Sequence, residues 1–121
     1  MNIGGNMSIV EFYETDNGDQ PVKDYLLSLP SKERALVVKD IKILELKGNT
    51  IREPKSKIVD RKERIFELRS KTNSGTSRIF YFFFSGNKLI LTNGFLKKTK
   101  KTPKKELEKA INFKHDYERR Q

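Results

Sequence analysis

The most chemically distinctive segment of the sequence is a run of lysines towards its C-terminal end. Residues 97–105 contain six lysines and no acidic residue. The run joins a predicted strand to the first turn of a predicted helix, where the helix dipole disfavours the cations Lys104 and Lys105 by about 0.3 kcal/mol or more. A phosphate bound by the backbone N–H groups of the helix start would relieve this repulsion. The run therefore predicts a phosphate-binding segment, and a solvated loop or a localisation-type basic patch is the alternative.

Arginines on or beside two predicted strands form a second group of candidates. Glu67 and Arg69 share one face of their strand, and a surface ion pair between them is the simplest interpretation. Arg78 begins the following strand, and its planar guanidinium suits bidentate binding of phosphate. We therefore expect Arg69 and Arg78 to contact a nucleic-acid backbone, and Arg64, directly before the first of these strands, is a further RNA-binding candidate.

Aromatic residues on the same strands offer surfaces on which bases could stack. Five of them are consecutive, at positions 80–84, and Phe95 lies on the next predicted strand. Core packing is the expected fate of the middle ones. Tyr81, which has a polar tip, and Phe95, which lies beside the lysine run, are the candidates for exposure.

The residues that the sequence lacks restrict its chemistry. It has no cysteine and a single histidine, His115, and no group of acids or histidines has metal-ligand spacing. A Gly-rich phosphate loop and a paired Ser and His are also absent, so neither a metal nor another cofactor is predicted. RNA cleavage still fits, because the 2′-OH of the substrate can attack the neighbouring phosphorus while the protein stabilises charge. Crowded cations lower each other's pKa, so one lysine could accept the proton.

Size and charge indicate one domain that binds a polyanion. The chain has 121 residues and a formal net charge of +10. Residues 1–51 hold six basic and eight acidic residues, a net charge of −2, whereas residues 52–121 hold twenty and eight, a net charge of +12. No apolar run could span a bilayer and no signal peptide is evident, so we expect a cytoplasmic protein that does not bind membranes. We expect residues 1–6 to be an extension or a cloning remnant and residues 7–121 to be the single domain.

Local patterns predict the elements that position these residues. Strands are expected at 8–14, 65–71, 77–84 and 88–95, with a short one at 57–59. One helix begins with Pro21 at its first position and ends before Pro30, and the next begins at a Ser31 cap and ends at Gly48. A last helix follows a Thr102 cap, with Pro103 at its first position. The apolar run 79–84 suits a central strand covered on both faces. We therefore predict a single α+β domain of order β-α-α-β-β-β-α, with an antiparallel meander, a helical hairpin and a C-terminal helix.

Three segments carry a family resemblance. They are residues 66–69 (F-E-L-R), residues 78–81 (R-I-F-Y) and residues 93–103, which contain the pattern G-F-x-K-K-x-x-K-T-P. From about Ile9 to the end, the sequence resembles the RelE/ParE superfamily of bacterial toxins, in particular the HigB-like branch that includes phage-derived host-killing proteins. The resemblance implies a RelE-like fold, which agrees with the order of elements above.

The resemblance also implies a function. Such a protein would be the toxin of a type II toxin–antitoxin system, a ribosome-dependent, metal-independent endoribonuclease that cuts mRNA in the A site and so inhibits translation. Its partner would be a helix-turn-helix antitoxin of the HigA kind, in a hetero-oligomer. By motif position the catalytic residues would be Arg69, Arg78, Lys97 and Lys98. The residues expected to bind RNA are Arg64, Tyr81, Asn93, Phe95, Lys100, Lys101, Lys104 and Lys105. Many relatives have histidine where this chain has Asn93, which implies either that another residue transfers the proton or that cleavage is slow and relies on the ribosome for orientation.

Two other functions remain open at this stage. A toxin of the ParE kind would inhibit DNA gyrase by binding it, and the same fold serves both activities. A non-cleaving RNA-binding domain would bind RNA with a steep salt dependence and leave it intact. The concentration of positive charge favours RNA as the target.

Overall fold

The computed structural model describes residues 8–98 and 100–121. The elements within them are β1 (Ile9–Phe12), α1 (Pro21–Ser28), α2 (Ser31–Lys47), a 3-10 turn (Gly48–Thr50), β2 (Ser56–Asp60), β3 (Ile65–Thr72), β4 (Gly75–Phe84), β5 (Lys88–Lys97) and α3 (Lys104–Arg119). The predicted α+β class and order of elements are confirmed, and the short strand expected at 57–59 is β2. In the described part of the chain, no helix has the length and apolar character needed to cross a bilayer.

The five strands form one sheet in the order β1-β5-β4-β3-β2. Strands β3 to β5 are the predicted antiparallel meander, joined by hairpins, and β2 extends it by pairing antiparallel with β3. Strand β1 adds to the outer edge of β5 in parallel, which local patterns did not predict. The aromatic strand β4 lies in the centre, as its continuous apolar sequence requires.

Alternation along β4 divides the core between the two faces of the sheet. Phe80 and Phe82 point to the face that α3 covers, whereas Ile79 and Tyr81 point to the face that α1 and α2 cover. All four side chains are completely buried. The aromatic residues of β4 therefore pack into two apolar layers, one on each face of the sheet. For this reason apolar and polar residues do not alternate along the strand.

The helix starts differ from the predicted caps. α2 has Pro30 at its N-cap and begins at Ser31, and α3 has Pro103 at its N-cap and begins at Lys104, so Ser31 and Thr102 do not cap these helices. Each proline combines a φ near −60° with an extended ψ and directs the chain into the helix. The proline carbonyls accept the first helical hydrogen bonds, and neither helix has a side-chain cap, because proline has no polar side-chain atom to provide one.

Two consecutive residues of β5 anchor the layers on both faces of the sheet. Asn93 faces α3, and its Nδ2 donates to the carbonyl oxygen and to Oε1 of Glu106 at 3.1 and 3.2 Å. Gly94 faces α1, where a Cβ atom would lie 2.5 Å from Cδ2 of Tyr25. The Tyr25 hydroxyl hydrogen-bonds to Oγ of Ser77 on β4 at 2.8 Å. The position of α1 therefore depends on the absence of a side chain at residue 94.

Gly94→Ala should destabilise the protein by about 1–3 kcal/mol, because the added methyl group overpacks against the Tyr25 ring. Urea denaturation followed by circular dichroism measures this cost. In a Tyr25→Ala background, where the obstructing ring is absent, the cost of Gly94→Ala should fall below half. An equal cost in both backgrounds would show that the close approach to Tyr25 is not the reason for glycine.

Candidate active site

The face of the sheet that α3 covers is only partly apolar. Beyond Asn93, towards the end of β5, the strand register places charged side chains on this same face, because directly opposed residues of neighbouring strands point the same way. Lys57 lies opposite Glu67, Arg69 opposite Arg78, and Lys97 opposite Thr76. We call Lys57, Glu67, Arg69, Arg78 and Lys97 the sheet-face cluster.

Glu67 lies at the centre of this cluster and is completely buried. Its Oε2 accepts a hydrogen bond from Nε of Arg69 at 2.7 Å and another from Nη1 of Arg78 at 2.5 Å. The prediction that Glu67 and Arg69 form an ion pair at the surface is therefore wrong about the surface. The carboxylate is enclosed, because Glu67 lies opposite the core residue Phe80. A buried carboxylate with two charged donors fixes both guanidinium groups in place.

The hydrogen bonds of this network are not all satisfied. In the described part of the chain, Oε1 of Glu67 and Nε of Arg78 are buried without a partner. Buried polar atoms are nearly always paired, either with protein groups or with a bound water or ion. The two arginines also carry one more charge than the single carboxylate neutralises. The cluster therefore retains a net positive charge and the capacity to bind an anion.

Lys97 ends β5 beside the two arginines and is only 9% exposed. Burial lowers its pKa, and the positive charge of Arg78 lowers it further, with smaller contributions from Lys57 and Arg69 that Glu67 partly opposes. A lysine with a lowered pKa is neutral more often near physiological pH, and it can then accept a proton. Lys97 is therefore a lysine of lowered pKa that lies beside two guanidinium groups.

A cleft of about 470 Å³ opens beside the cluster. Arg69 and Arg78 line it together with Lys71 and Thr76 of the same two strands. Leu36, Lys39 and Asp40 of α2, with Pro54 and Lys55, complete the lining, and the Asp40 carboxylate is paired with Lys55 at 3.0 Å. The two arginines are therefore reached from solvent, and their side chains are 24% and 12% exposed, respectively. The geometry suits an extended anion such as a phosphodiester chain, held by guanidinium groups at one end of the sheet.

Comparison with protein-family models identifies the group to which the chain is related. Residues 24–114 match the model described as Phage derived protein Gp49-like (DUF891). The chain belongs to this Gp49-like family. The matched span includes every residue of the sheet-face cluster, and the family is associated with toxins of toxin–antitoxin systems. A search of curated protein sequences gives no significant match.

The structure of this Gp49-like protein brings together three of the four residues predicted to be catalytic, namely Arg69, Arg78 and Lys97. Lys98 follows the end of β5 and is exposed. Phe95 lies opposite Arg78 and is half-buried, with its ring edge-to-face on Phe80 at 5.3 Å. The other predicted lysines are exposed on the connection to α3 and in its first turn: Lys100, Lys101, Lys104 and Lys105. Their contacts with RNA remain predictions.

Two residues expected to bind RNA occupy structural positions instead. Tyr81 is completely buried on the opposite face, where its hydroxyl hydrogen-bonds to Oγ of Ser56 at 2.6 Å and burial raises its pKa to about 12. It cannot stack on a base from there. Asn93 is 3% exposed, and its amide oxygen accepts from Oγ1 of Thr92 at 2.7 Å while its nitrogen donates to Glu106. Every hydrogen-bonding group of the Asn93 amide is thus engaged within the protein.

Sequence reasoning did not predict that Glu67 lies at the centre of the sheet-face cluster or that Lys57 belongs to this cluster. Glu67 was recognised as a neighbour of Arg69, but its burial depends on pairing with Phe80 across the sheet. Lys57 belongs to a short edge strand whose register with β3 cannot be inferred from its own residues. The alternation of Glu67 and Arg69 along β3 was the one local signal that pointed to this network.

Glu67→Gln should destabilise the Gp49-like protein by about 3–5 kcal/mol, because it leaves two partly buried guanidinium groups without a counter-charge. Glu118→Gln is the matched control. Its carboxylate pairs with Lys114 at the surface, where its side chain is 41% exposed, and its loss should cost less than about 1 kcal/mol. Urea denaturation of both variants tests this difference, and similar costs would contradict the assignment of Glu67 as the organising group.

Proposed function

We propose that this Gp49-like protein is a toxin that cleaves mRNA on the ribosome, with no metal ion taking part in the reaction. The observation that carries the proposal is the convergence of Arg69, Arg78 and Lys97 around the buried carboxylate of Glu67. Two fixed guanidinium groups beside a lysine of lowered pKa supply both charge stabilisation and a proton acceptor.

The reaction proceeds by attack of the substrate's own 2′-oxygen on the adjacent phosphorus. Neutral Lys97 accepts the 2′-OH proton as the new oxygen–phosphorus bond forms and the bond to the 5′-oxygen breaks. Arg69 and Arg78 stabilise the additional negative charge on the phosphoryl oxygens in the transition state. The departing 5′-oxygen takes a proton from solvent and protonated Lys97 returns one to solvent, so the products are a 2′,3′-cyclic phosphate and a 5′-hydroxyl.

Charge distribution supports RNA as the target. The cluster lies within residues 52–121, which carry a net charge of +12. The lysines that follow β5 extend this positive surface beyond the cluster and would hold RNA on either side of the scissile phosphate. The ribosome presents mRNA in the A site, so the substrate is oriented by the ribosome and by this basic surface together. A cognate helix-turn-helix antitoxin, bound in a hetero-oligomer, would neutralise the toxin in the cytoplasm.

Mapping of transcript 5′ ends after induction tests the proposal. New ends should appear within translated codons, and they should disappear when translation initiation on the reporter transcript is blocked. Growth arrest without new ends would contradict the proposal and favour inhibition of a protein target such as DNA gyrase. Growth arrest with RNA binding but intact transcripts would indicate a non-cleaving RNA-binding domain.

Arg78→Gln should lower the cleavage rate about 100- to 1000-fold, because one of the two groups that stabilise the transition-state charge is lost. Single-turnover cleavage of mRNA on purified ribosomes measures the effect. Lys23→Gln removes one positive charge from the exposed surface of α1 and should cleave at the wild-type rate. If Arg78→Gln were folded and equally active, Arg78 would have no catalytic role.

The pH dependence of cleavage should depend on Lys97. Because the proton acceptor is neutral Lys97, whose pKa is lowered by burial and by Arg78, the single-turnover rate should rise as the pH is raised over the neutral to alkaline range. Lys97→Arg should be slow and should lose this rise, because the guanidinium stays protonated throughout the range. Lys98→Arg keeps Lys97 and should retain the rise. A pH profile that is unchanged in Lys97→Arg would exclude Lys97 as the base.

A further inference from the structure

A second basic surface lies on the opposite face of the sheet from the sheet-face cluster. A groove of about 600 Å³ runs there beside the edge strand β2. Phe66 and Phe83, which pack against the core of the helical-hairpin face, form part of its floor. We call the following lining residues the aromatic groove: Arg52, Arg61, Arg64, Phe66 and Phe83.

The two phenylalanines are neighbours in the groove, and the Phe66 ring also stacks on the buried ring of Tyr81, with centroids 5.5 Å apart. The centroids of the Phe66 and Phe83 rings are 5.3 Å apart in an edge-to-face arrangement, and both side chains are half-buried. The Arg64 guanidinium lies 5.7 Å from the centroid of the Phe66 ring. Arg64 adopts a φ of 55°, a conformation that is uncommon for a residue other than glycine. An aromatic ring with an adjacent guanidinium is the arrangement on which single-stranded nucleic acids stack.

The rim of the groove is strongly positive. Arg52 donates to the carbonyl oxygens of Asn49 and Ile51, which hold its guanidinium beside the groove, and Arg61 is exposed in the turn after β2. Glu53 is the one acidic residue that lines the groove. Such a surface is complementary to a chain of phosphates with bases between them.

Lys57 connects the groove to the sheet-face cluster. It lines the groove and also lies opposite Glu67 in the pairing of β2 with β3. Strand β2 is the edge of the sheet, so only one strand separates the two surfaces. An RNA chain that crosses this edge would meet positive charge along its whole path.

We infer that the aromatic groove binds single-stranded RNA, with an unstacked base against Phe83 beside the Arg64–Phe66 pair and neighbouring phosphates on the arginines of the rim. The inference rests on the proposed function, because this RNA is the continuation of the strand whose phosphate is held at the sheet-face cluster. The groove thereby provides a contact for nucleotides away from the cleavage position, and it contributes to affinity without taking part in the chemistry.

Binding of a fluorescently labelled oligouridine to the full chain, without ribosomes, tests the inference. The Arg61→Gln/Arg64→Gln variant should bind more weakly and should lower the slope of log Kd against log salt by about 1.4, since each phosphate contact on a single strand contributes about 0.7. Phe83→Leu should weaken binding about 5- to 100-fold, because a base loses its stacking surface, with no change in that slope. Lys23→Gln/Lys42→Gln removes the same charge from the helical hairpin and should leave the slope unchanged.

Fluorescence locates the bound base directly. The chain has no tryptophan, so the F83W variant carries a single indole in the groove. Oligouridine should quench its emission, whereas the L27W variant, with its indole at an exposed position of α1, should not be quenched. Equal responses of F83W and L27W would overturn the inference. So would rim-arginine and Phe83 variants that bind RNA as the wild type does, in which case an acidic protein segment would be the better ligand for the groove.

The outcomes for cleavage and for groove binding are separable. F83W carrying Arg78→Gln should lose cleavage and still be quenched by oligouridine. If the wild type cleaves no mRNA but the groove variants lose RNA affinity, the proposed function fails and the groove assignment holds. If cleavage occurs and the groove variants bind RNA normally, the groove assignment alone is wrong.

Discussion

The arrangement of the candidate site depends on one buried carboxylate. Glu67 has no exposed surface and accepts hydrogen bonds from Arg69 and Arg78 through the same oxygen. An isolated charge in such a place would be costly, and it is tolerated because two guanidinium groups compensate it. The same contacts remove the freedom of two long side chains that would otherwise sample many rotamers. The arginines therefore need no reorganisation to meet a phosphate, which is the condition under which fixed charges contribute most to catalysis.

The rest of the fold keeps this end of the sheet open. Asn93 holds the first turn of α3 and Gly94 admits α1 on the other face, so both covering layers are fixed at adjacent residues of β5. Phe95 still packs on Phe80 on the α3 face, and beyond it the strand continues to Lys97 in the sheet-face cluster. The positive residues concentrated after residue 51 thus include those of the open end of the sheet and the connection to α3. The net charge alone had indicated only that the ligand is a polyanion. These two contacts show which part of the sheet carries the positive charge.

Local sequence patterns predicted the elements and the pairing of the three-strand meander, but not the parallel pairing of β1 or which face of the sheet is open. The apolar sequence of β4 identified it as central, and turn residues separated the three strands of the meander. The parallel addition of β1 to β5 was not predictable, because it joins distant segments. Alternation along β4 predicts that Tyr81 and Phe80 point to opposite faces of the sheet. It does not predict which of the two faces is open to solvent. For this reason Tyr81 and Asn93 were expected at an RNA surface and are buried, while the burial of Glu67 was missed.

The chemical identity of the RNA ends tests the central claim most directly. mRNA cleaved on purified ribosomes by the wild-type protein should carry a 5′-hydroxyl on the downstream fragment and a 2′,3′-cyclic phosphate on the upstream fragment, because the nucleophile is the 2′-oxygen of the substrate. These ends can be distinguished by their reactivity with polynucleotide kinase and by mass spectrometry. A 5′-phosphate with a free 3′-hydroxyl would mean that water attacked the phosphorus, and it would contradict the account of charge-stabilised cleavage at Arg69, Arg78 and Lys97.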